Sequence, residues 1–467
     1  MWQKYFNAFD LQEVLLILAE QKEKARIIAG ATDLLLEMER GLRKGLETLI
    51  DISRIPGMNQ ITLDDDNVIH LGPLTTHNDC IASGLIRTKA LPLAQAAWQV
   101  GSPQIRNRGT VAGNLITGSP ANDTITPLVA LGAKVTLRSH NGQRVIPLEN
   151  FYTGVRQTIL KADEMLVDIA FPAMQSNQRG IFIKHALRRA QAISLVNLAI
   201  VLTMDGDEVR SAVITLGAVA PTIIHALEAE QFLAGKTLTE ENIRKASELA
   251  ASASRPIDDV RSSAAYRRTM LKVWVGRGLQ AISQGRDLMQ LPENPVLLRT
   301  NQTLYSEVGQ YWHEKPIQTT INGHPYEFKS GQNKTLLRLI REEGGLLGSK
   351  ESCAEGECGA CTILMDGMAV MGCLVPAPRA HGANIITVEG LAKDGKLHPI
   401  QKAFIDDGAV QCGYCTPGLL MSSAKLLEEK KQPLKEDILQ AISGNLCRCT
   451  GYYKIIQAIE HAAAAIE

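Results

Sequence analysis

Cys353-Ala-Glu-Gly-Glu-Cys358-Gly-Ala-Cys361, with Cys373 after eleven intervening residues, decides what this chain is built around. The first three cysteines have the spacing of the plant-type [2Fe–2S] pattern. Two irons sharing two sulfides take four thiolates, and a tight loop must wrap them so that backbone N–H groups reach the sulfurs. Gly356 and Gly359 suit such a loop, because glycine adopts positive φ without a steric penalty. The other reading of four cysteines is zinc, although structural zinc sites usually pair short knuckles of two cysteines.

A second set follows. Cys412, Cys415, Cys447 and Cys449 are separated by two, 31 and one residues, which is no common zinc-finger spacing. Thr416-Pro417 follows the first pair and Thr450-Gly451 the second; threonine suits a helix N-cap and proline the first helical position. Both pairs are therefore expected at helix N-termini, where free N–H groups and the positive dipole end favour an anionic cluster. Zinc, or a redox disulfide between Cys412 and Cys415, remain the other readings.

Composition agrees with an intracellular metalloprotein. Of nine cysteines only Cys80 lies outside 353–449, and in a reducing cytosol such a group holds metal rather than forming disulfides. Cys80 reads as a small packing residue. Lys+Arg and Asp+Glu each total 49 without blocks of like charge, so no nucleic-acid footprint or anionic-membrane surface stands out. No stretch approaches the roughly 20 apolar residues of a membrane span. The short apolar run at 14–19 is broken by charges on both sides, unlike a signal peptide, and a cytoplasmic location is expected. At 467 residues the chain should divide into three or four domains.

Residues 1–175 mix helical periods (11–20, 90–100) with short β runs (26–28, 68–71, 135–137, 167–171), an α/β pattern. Residues 177–285 form a separate α+β unit: strands 198–204 and 209–216 about Asp205-Gly206-Asp207, then helices 240–254 and 262–282. A linker is expected at 286–315, with Pro292 and Pro295. Residues 316–393 spell a hairpin at Asn322-Gly323, a helix over 335–343, a hairpin of 361–365 and 368–374 about Asp366-Gly367, and a strand at 385–388. That is the order of a ferredoxin-like β-grasp. Residues 394–467 are helical, over 399–406, 417–429, 435–443 and 451–464.

Two further segments are rich in small residues. Ala29-Gly30-Ala31-Thr32-Asp33-Leu34 follows a strand directly, letting backbone amides approach a diphosphate, though such loops are common in α/β domains. Residues 106–115, running on through Ser119-Pro120-Ala121-Asn122-Asp123, read as a second loop with hydrogen-bonding side chains.

At these loops and at the eight cysteines the chain resembles the molybdenum hydroxylases, the family of xanthine dehydrogenase, aldehyde oxidase and carbon monoxide dehydrogenase, over nearly its whole length. The resemblance implies a multidomain α+β protein. It would comprise a PCMH/VAO-like FAD-binding α/β domain of two subdomains (1–175), an α+β C-terminal flavin-subunit domain (177–285), the linker (286–315), a β-grasp [2Fe–2S] domain (316–393) and an α-helical [2Fe–2S] bundle (394–467). It implies that Ala29, Gly30, Ala31, Thr32, Asp33 and Leu34, with Thr110, Gly113 and Asn114, hold the FAD diphosphate, and that Ser119 also binds the cofactor. Asp123 would bond the ribityl chain, Leu166 touch the flavin ring system and Lys184 lie near it. Gln411 would contact the pterin of a molybdenum cofactor held by another subunit. Three features depart from the family. Ala31 and Ala112 stand where glycine is frequent, which a methyl group accommodates if φ is negative there. The iron–sulfur part follows the flavin part, the reverse of the single-chain animal enzymes. The segments read above account for nearly all of the 467 residues, so the molybdenum-binding domain is expected on another subunit.

The implied reaction is oxidative hydroxylation of a carbon centre, with water as oxygen source and two electrons left on molybdenum in a large molybdopterin-binding partner. Those electrons would pass singly through the helical-domain cluster and the β-grasp cluster to FAD, then to NAD+ or another acceptor. No acid–base or nucleophilic constellation assigns a catalytic residue to this chain. A xanthine dehydrogenase-like complex in purine metabolism, assembled as a dimer of heterodimers, is the preferred expectation. Aldehydes, carbon monoxide and N-heteroaromatics stay open as substrates. A different expectation is a stand-alone flavin and iron–sulfur electron carrier.

Overall fold

The computed structural model describes residues 2–287, 291–300 and 314–466, so much of the expected 286–315 linker lies outside the described residues. Two compact units divide the chain, and neither is continuous. One combines Met1–Ile55, Gly101–Gly109 and Val296–Glu467; the other combines Pro56–Val100 and Thr110–Pro295.

In the first unit, the strands Lys4–Asn7, Thr48–Asp51 and Ala25–Ile28 form a parallel sheet with Thr48–Asp51 in the middle. Asp10 caps the helix Leu11–Gln21, accepting from the Gln12 amide at 2.5 Å, and the helix buries Val14, Leu15 and Leu18. The β-grasp sheet runs in the order His324–Phe328, Ile317–Ile321, Asn384–Ile386, Thr362–Met365, Met368–Met371. Both hairpin dipeptides have positive φ, 55° and 81° at Asn322-Gly323 and 50° and 76° at Asp366-Gly367, as a type I′ turn demands. These two sheets share a core: Trp2, Tyr5, Leu35 and Leu49 pack with Ile317, Phe328, Ile340 and Ile385. Each such side chain, fully enclosed, contributes about 1.5–3 kcal/mol.

Three expected elements are shorter here. The strand read over 368–374 stops at Met371, because Gly372–Leu374 curls into a 3-10 turn that carries Cys373. The strand at 385–388 narrows to Asn384–Ile386. The helix over 335–343 is α-helical only at Leu336–Arg338 and widens into a π turn over Leu339–Glu343, closed by Gly344 N–H on the Leu339 carbonyl at 3.1 Å.

The helices Pro399–Asp406, Thr416–Glu429, Lys435–Ala441 and Tyr453–Ala464 close on Phe404, Leu419, Met421, Ile438 and Ile459. Residues 296–300 also belong to this unit. The Ala369 N–H donates to the Leu298 carbonyl at 2.9 Å, and Glu429 accepts from the Leu297 and Leu298 amides at 2.9 and 2.6 Å. The open edge beside Met368–Met371 is thereby covered, as sheet edges require.

In the second unit, one sheet has the order Ile61–Leu63, Val68–Leu71, Met165–Pro172, Lys134–Ser139, Gly142–Pro147. The other is antiparallel: Gln178–His185, Val196–Asp205, Glu208–Gly217 and Ile224–His225, packed by Glu240–Ala253 and Ala264–Ser283. Gly206, with φ 60°, makes the tight turn between Asp205 and Glu208. Gly278 lets the long helix lie close on the sheet, since a Cβ there would stand 2.9 Å from Ile200 Cδ1. Cys80 is fully buried, and burial pushes its thiol pKa up, in keeping with a packing role. No described helix is long and apolar enough to cross a membrane.

The segment 106–115 is not the loop its small residues suggested. Pro103–Arg106 is one short helix, and Val111–Thr117 is another, because the Thr110 hydroxyl caps its first turn at the Gly113 amide, 3.0 Å away.

Candidate functional site

Cys353 and Cys358 occupy the loop before the strand Thr362–Met365, Cys361 stands at its start, and Cys373 lies in the turn after the paired strand. Three backbone amides, of Glu355, Glu357 and Cys358, point at Cys353 Sγ from 3.4, 3.3 and 3.4 Å. Cys361 Sγ and Cys373 Sγ are 3.4 Å apart, under Leu337, Met371 and Leu374. Gly356 and Gly359 have φ 74° and 68°, so the loop takes the conformation their residue type permits. The hydrogen bond shared by Cys353 and Cys358 draws the Cys358 thiol below its usual pKa and pushes that of Cys353 up. Metal ligation takes the thiolate form of all four.

In the second set, Cys412 Sγ lies 3.5 Å from Cys449 Sγ, an approach across the two pairs rather than along a Cys412–Cys415 bridge. Cys447 Sγ is 3.2 Å from Thr450 Oγ1. A cavity of about 170 Å³ is lined by Cys412, Cys415, Cys447 and Cys449, together with Cys358 and Tyr414. Cys415 occupies the N-cap position of Thr416–Glu429, one residue before the expected Thr416 cap and without a side-chain capping bond, and burial pushes its thiol up to about 12. The helix after the second pair starts later than expected, at Tyr453. Tyr452 takes φ 69° and breaks the turn, while Thr450 Oγ1 accepts from its amide at 3.2 Å. Only the first pair therefore borders a helix start. Gln411, Cys412 and Cys449 are exposed, whereas Cys361 and Cys373 are each 3% exposed. Eight soft sulfur donors, with amides turned toward them, fit two iron–sulfur clusters.

The expected FAD residues fall in both units. In the first, Thr32 and Asp33 turn into the helix Leu34–Glu39. Gly30 is glycine for a reason inside the protein: a Cβ would meet the Arg108 carbonyl oxygen at 2.2 Å, and the Arg108 guanidinium bonds the Ala29 carbonyl at 3.1 Å. Ala31 has φ 69°, so the condition under which a methyl group is readily accommodated is not met there; the residue sits in the left-handed region that glycine favours. Ala112 lies within a right-handed helix and needs no glycine.

In the second unit, the Asn114 carbonyl accepts from Asn122 Nδ2 at 2.6 Å and its Oδ1 from the Thr124 hydroxyl at 2.5 Å. Ser119 Oγ accepts from the Ala121 amide at 3.3 Å. Asp123 Oδ2 is 2.6 Å from Lys184 Nζ, and its Oδ1 accepts from Ser194 Oγ at 2.7 Å; Lys184 also donates to the Gln99 carbonyl at 3.0 Å. Burial raises the Asp123 pKa, and Lys184 pulls against it. Leu166, 2% exposed, pairs with Leu137 just before a bulge at Val167. The structure thus joins Asp123 directly to Lys184, with Ser194 supporting the carboxylate and Gln99 the ammonium, two residues that carry no local sequence signal. Short segments that open helices and are braced by their own side chains fit a dinucleotide.

Residues 2–174 match the family described as FAD binding domain in molybdopterin dehydrogenase, and 181–282 the CO dehydrogenase flavoprotein C-terminal domain. Residues 319–382 match the 2Fe-2S iron-sulfur cluster binding domain, and 387–460 the [2Fe-2S] binding domain. The nicotinate dehydrogenase small FeS subunit of Eubacterium barkeri is 48% identical over 146 residues, 31% of this chain and 93% of that one. The xanthine dehydrogenase iron-sulfur-binding subunit of Escherichia coli O157:H7 is 48% identical over 145 residues, 31% of this chain and 91% of that one. Among solved structures, the carbon monoxide dehydrogenase of Hydrogenophaga pseudoflava lacking the Mo-pyranopterin moiety superimposes with TM-score 0.58 at 30% identity, covering 62% of this chain and 99% of that one.

Proposed function

Because the chain belongs to the molybdenum hydroxylase family, as its FAD-binding and [2Fe–2S]-binding parts in one polypeptide, we propose that it is the electron-transfer subunit of a complex that oxidises a purine. The catalytic partner in this reading is a large molybdopterin-binding subunit, and the final acceptor is NAD+ or another oxidant. When bound, the clusters exchange single electrons and FAD collects a pair, which matches a two-electron oxidation to a one-electron wire.

One observation carries the reading. Two four-cysteine sets lie in one compact unit, the first enclosed at Cys361 and Cys373, the second open to the surface at Cys412 and Cys449 beside exposed Gln411. The open set is the side from which electrons enter, and Gln411 is the residue offered to the partner's pterin. Cys353, Cys358, Cys361 and Cys373 hold one cluster, and Cys412, Cys415, Cys447 and Cys449 the other. Amides on Cys353 and the Thr450 hydroxyl on Cys447 stabilise negative sulfur. Residues 29–34, Thr110, Gly113, Asn114, Ser119, Asp123, Leu166 and Lys184 are the FAD contacts of this reading.

Xanthine-type chemistry rests on likeness to the Escherichia coli subunit; the equal identity to the nicotinate dehydrogenase subunit favours an N-heteroaromatic acid as second reading. The test is anaerobic affinity purification from the native host. A large molybdopterin-containing chain should come down, and xanthine or hypoxanthine should bleach the bound flavin. Bleaching by nicotinate alone moves the substrate; no bleaching by any purine, aldehyde or heteroaromatic with molybdenum present defeats the assignment.

A further inference from the structure

A buried polar junction lies between the two sets of cysteines. Asn445, 1% exposed, stands two residues before Cys447. Its Nδ2 donates to the Gly359 carbonyl at 3.0 Å and reaches Thr362 Oγ1 at 3.4 Å, both in the segment that carries Cys358 and Cys361. Its Oδ1 accepts from Ser422 Oγ at 2.8 Å and from Gln104 Nε2 at 3.2 Å. Ser422 lies on the helix that begins after Cys415, and Gln104 comes from the flavin-binding part of the sequence. One residue on, the Leu446 N–H donates to the Cys358 carbonyl at 2.9 Å. A single backbone hydrogen bond therefore connects a cysteine of one set with the neighbour of a cysteine of the other.

Three glycines leave this junction no slack. A Cβ at Gly359 would stand 2.2 Å from the Gly444 carbonyl and 2.6 Å from Asn445 Nδ2. One at Gly418 would meet the Gly359 carbonyl at 2.0 Å, and one at Gly444 would meet Gln104 Oε1 at 2.6 Å. Close-packed interiors pass displacement on rather than absorb it, and a buried donor left without its acceptor keeps its desolvation penalty.

We infer that Asn445 is a positioning residue that fixes the separation and mutual orientation of the two cysteine sets, and that Gln104 locks the same junction from the flavin-binding part. The inference rests on the reading of the eight cysteines as cluster ligands. Electron exchange falls steeply with distance, so a rigid amide between the two loops sets how well they couple.

The test uses the full-length holoprotein reduced with dithionite, in which electron paramagnetic resonance reports the magnetic splitting between two neighbouring clusters. The parent should hold about four irons per chain and show the splitting. Asn445→Asp, nearly the same size but turning an acceptor toward the Gly359 carbonyl, should keep its iron and lose the splitting; Asn445→Ala should do the same, and Gln104→Leu should weaken it. An iron-replete Asn445→Asp with parental splitting overturns the inference. Should both Asn445 variants fail to hold iron, Gln104→Leu decides, and full iron with unchanged splitting overturns it equally. Iron missing from the parent would instead defeat the cluster reading.

Discussion

The Lys184 ammonium lies 2.6 Å from the Asp123 carboxylate, and neither side chain exposes more than 8% of its surface. A buried pair of this kind does more for placement than for stability, since taking both charges from water costs nearly what their attraction returns. Removing one partner is another matter. Lys184→Met should destabilise the second unit by about 3–5 kcal/mol by stranding the carboxylate, whereas Lys184→Met with Asp123→Asn should recover most of that loss. Chemical denaturation of these two variants and of Asp123→Asn alone, with flavin content measured alongside, tests the coupling; a double-variant loss equal to the sum of the two single losses would show the groups to be independent.

Ala31 holds a left-handed backbone at φ 69° with a methyl group in place. Replacing it with glycine removes a steric cost of about 1–2 kcal/mol and returns part of it as unfolded-chain entropy. Ala31→Gly should therefore stabilise the first unit by about 0.5–1 kcal/mol. Its unfolding midpoint should rise, while Ala31→Val should lower it.

Cysteine variants separate the two sets. Cys373→Ser and Cys447→Ser should each bring the iron content from about four to about two per chain, and each should abolish a different resonance signal. Zinc in the purified protein, or one variant emptying both sets, would contradict two independent cages.

His70 lies between two carboxylates, 2.9 Å from Asp168 and 3.3 Å from Asp64. Burial works against its protonation, but the hydrogen bonds to Asp168 and Asp64 outweigh it and hold the pKa above the usual value. A pKa raised on folding gives stability that is fully present below the unfolded value, about 6.5, and fades as pH rises through the folded one. The parent should accordingly exceed His70→Gln in melting temperature at about pH 5.5 and match it at about pH 9. A gap that widens with pH would reverse the sign.

What the sequence disclosed was local. Cysteine spacing, the Asn322-Gly323 and Asp366-Gly367 turns and the helix Pro399–Asp406 need only neighbouring residues, and each stands where its pattern put it. Residues 106–115 misled because glycine and asparagine suggest a loop, while the single capping hydroxyl of Thr110 suffices to start a helix. The late start after Cys449 depends on Tyr452 taking positive φ, a conformation no residue-type preference announces. The Asp123–Lys184 pair spans 61 positions, and the Gln104–Asn445 contact spans 341, so neither leaves a periodic trace. Composition likewise gave no hint that the first 55 residues fold with the last 172.

The core that Trp2, Tyr5 and Leu49 share with Ile317, Phe328 and Ile385 has a bearing on bookkeeping inside the cell. Where flavin-binding and iron–sulfur parts are made as separate polypeptides, such a surface forms only on encounter and loosens on dilution; one continuous chain replaces that encounter with a closure at fixed effective concentration. Every translated copy thus carries the two halves one to one, and no excess of either can accumulate with its apolar face uncovered.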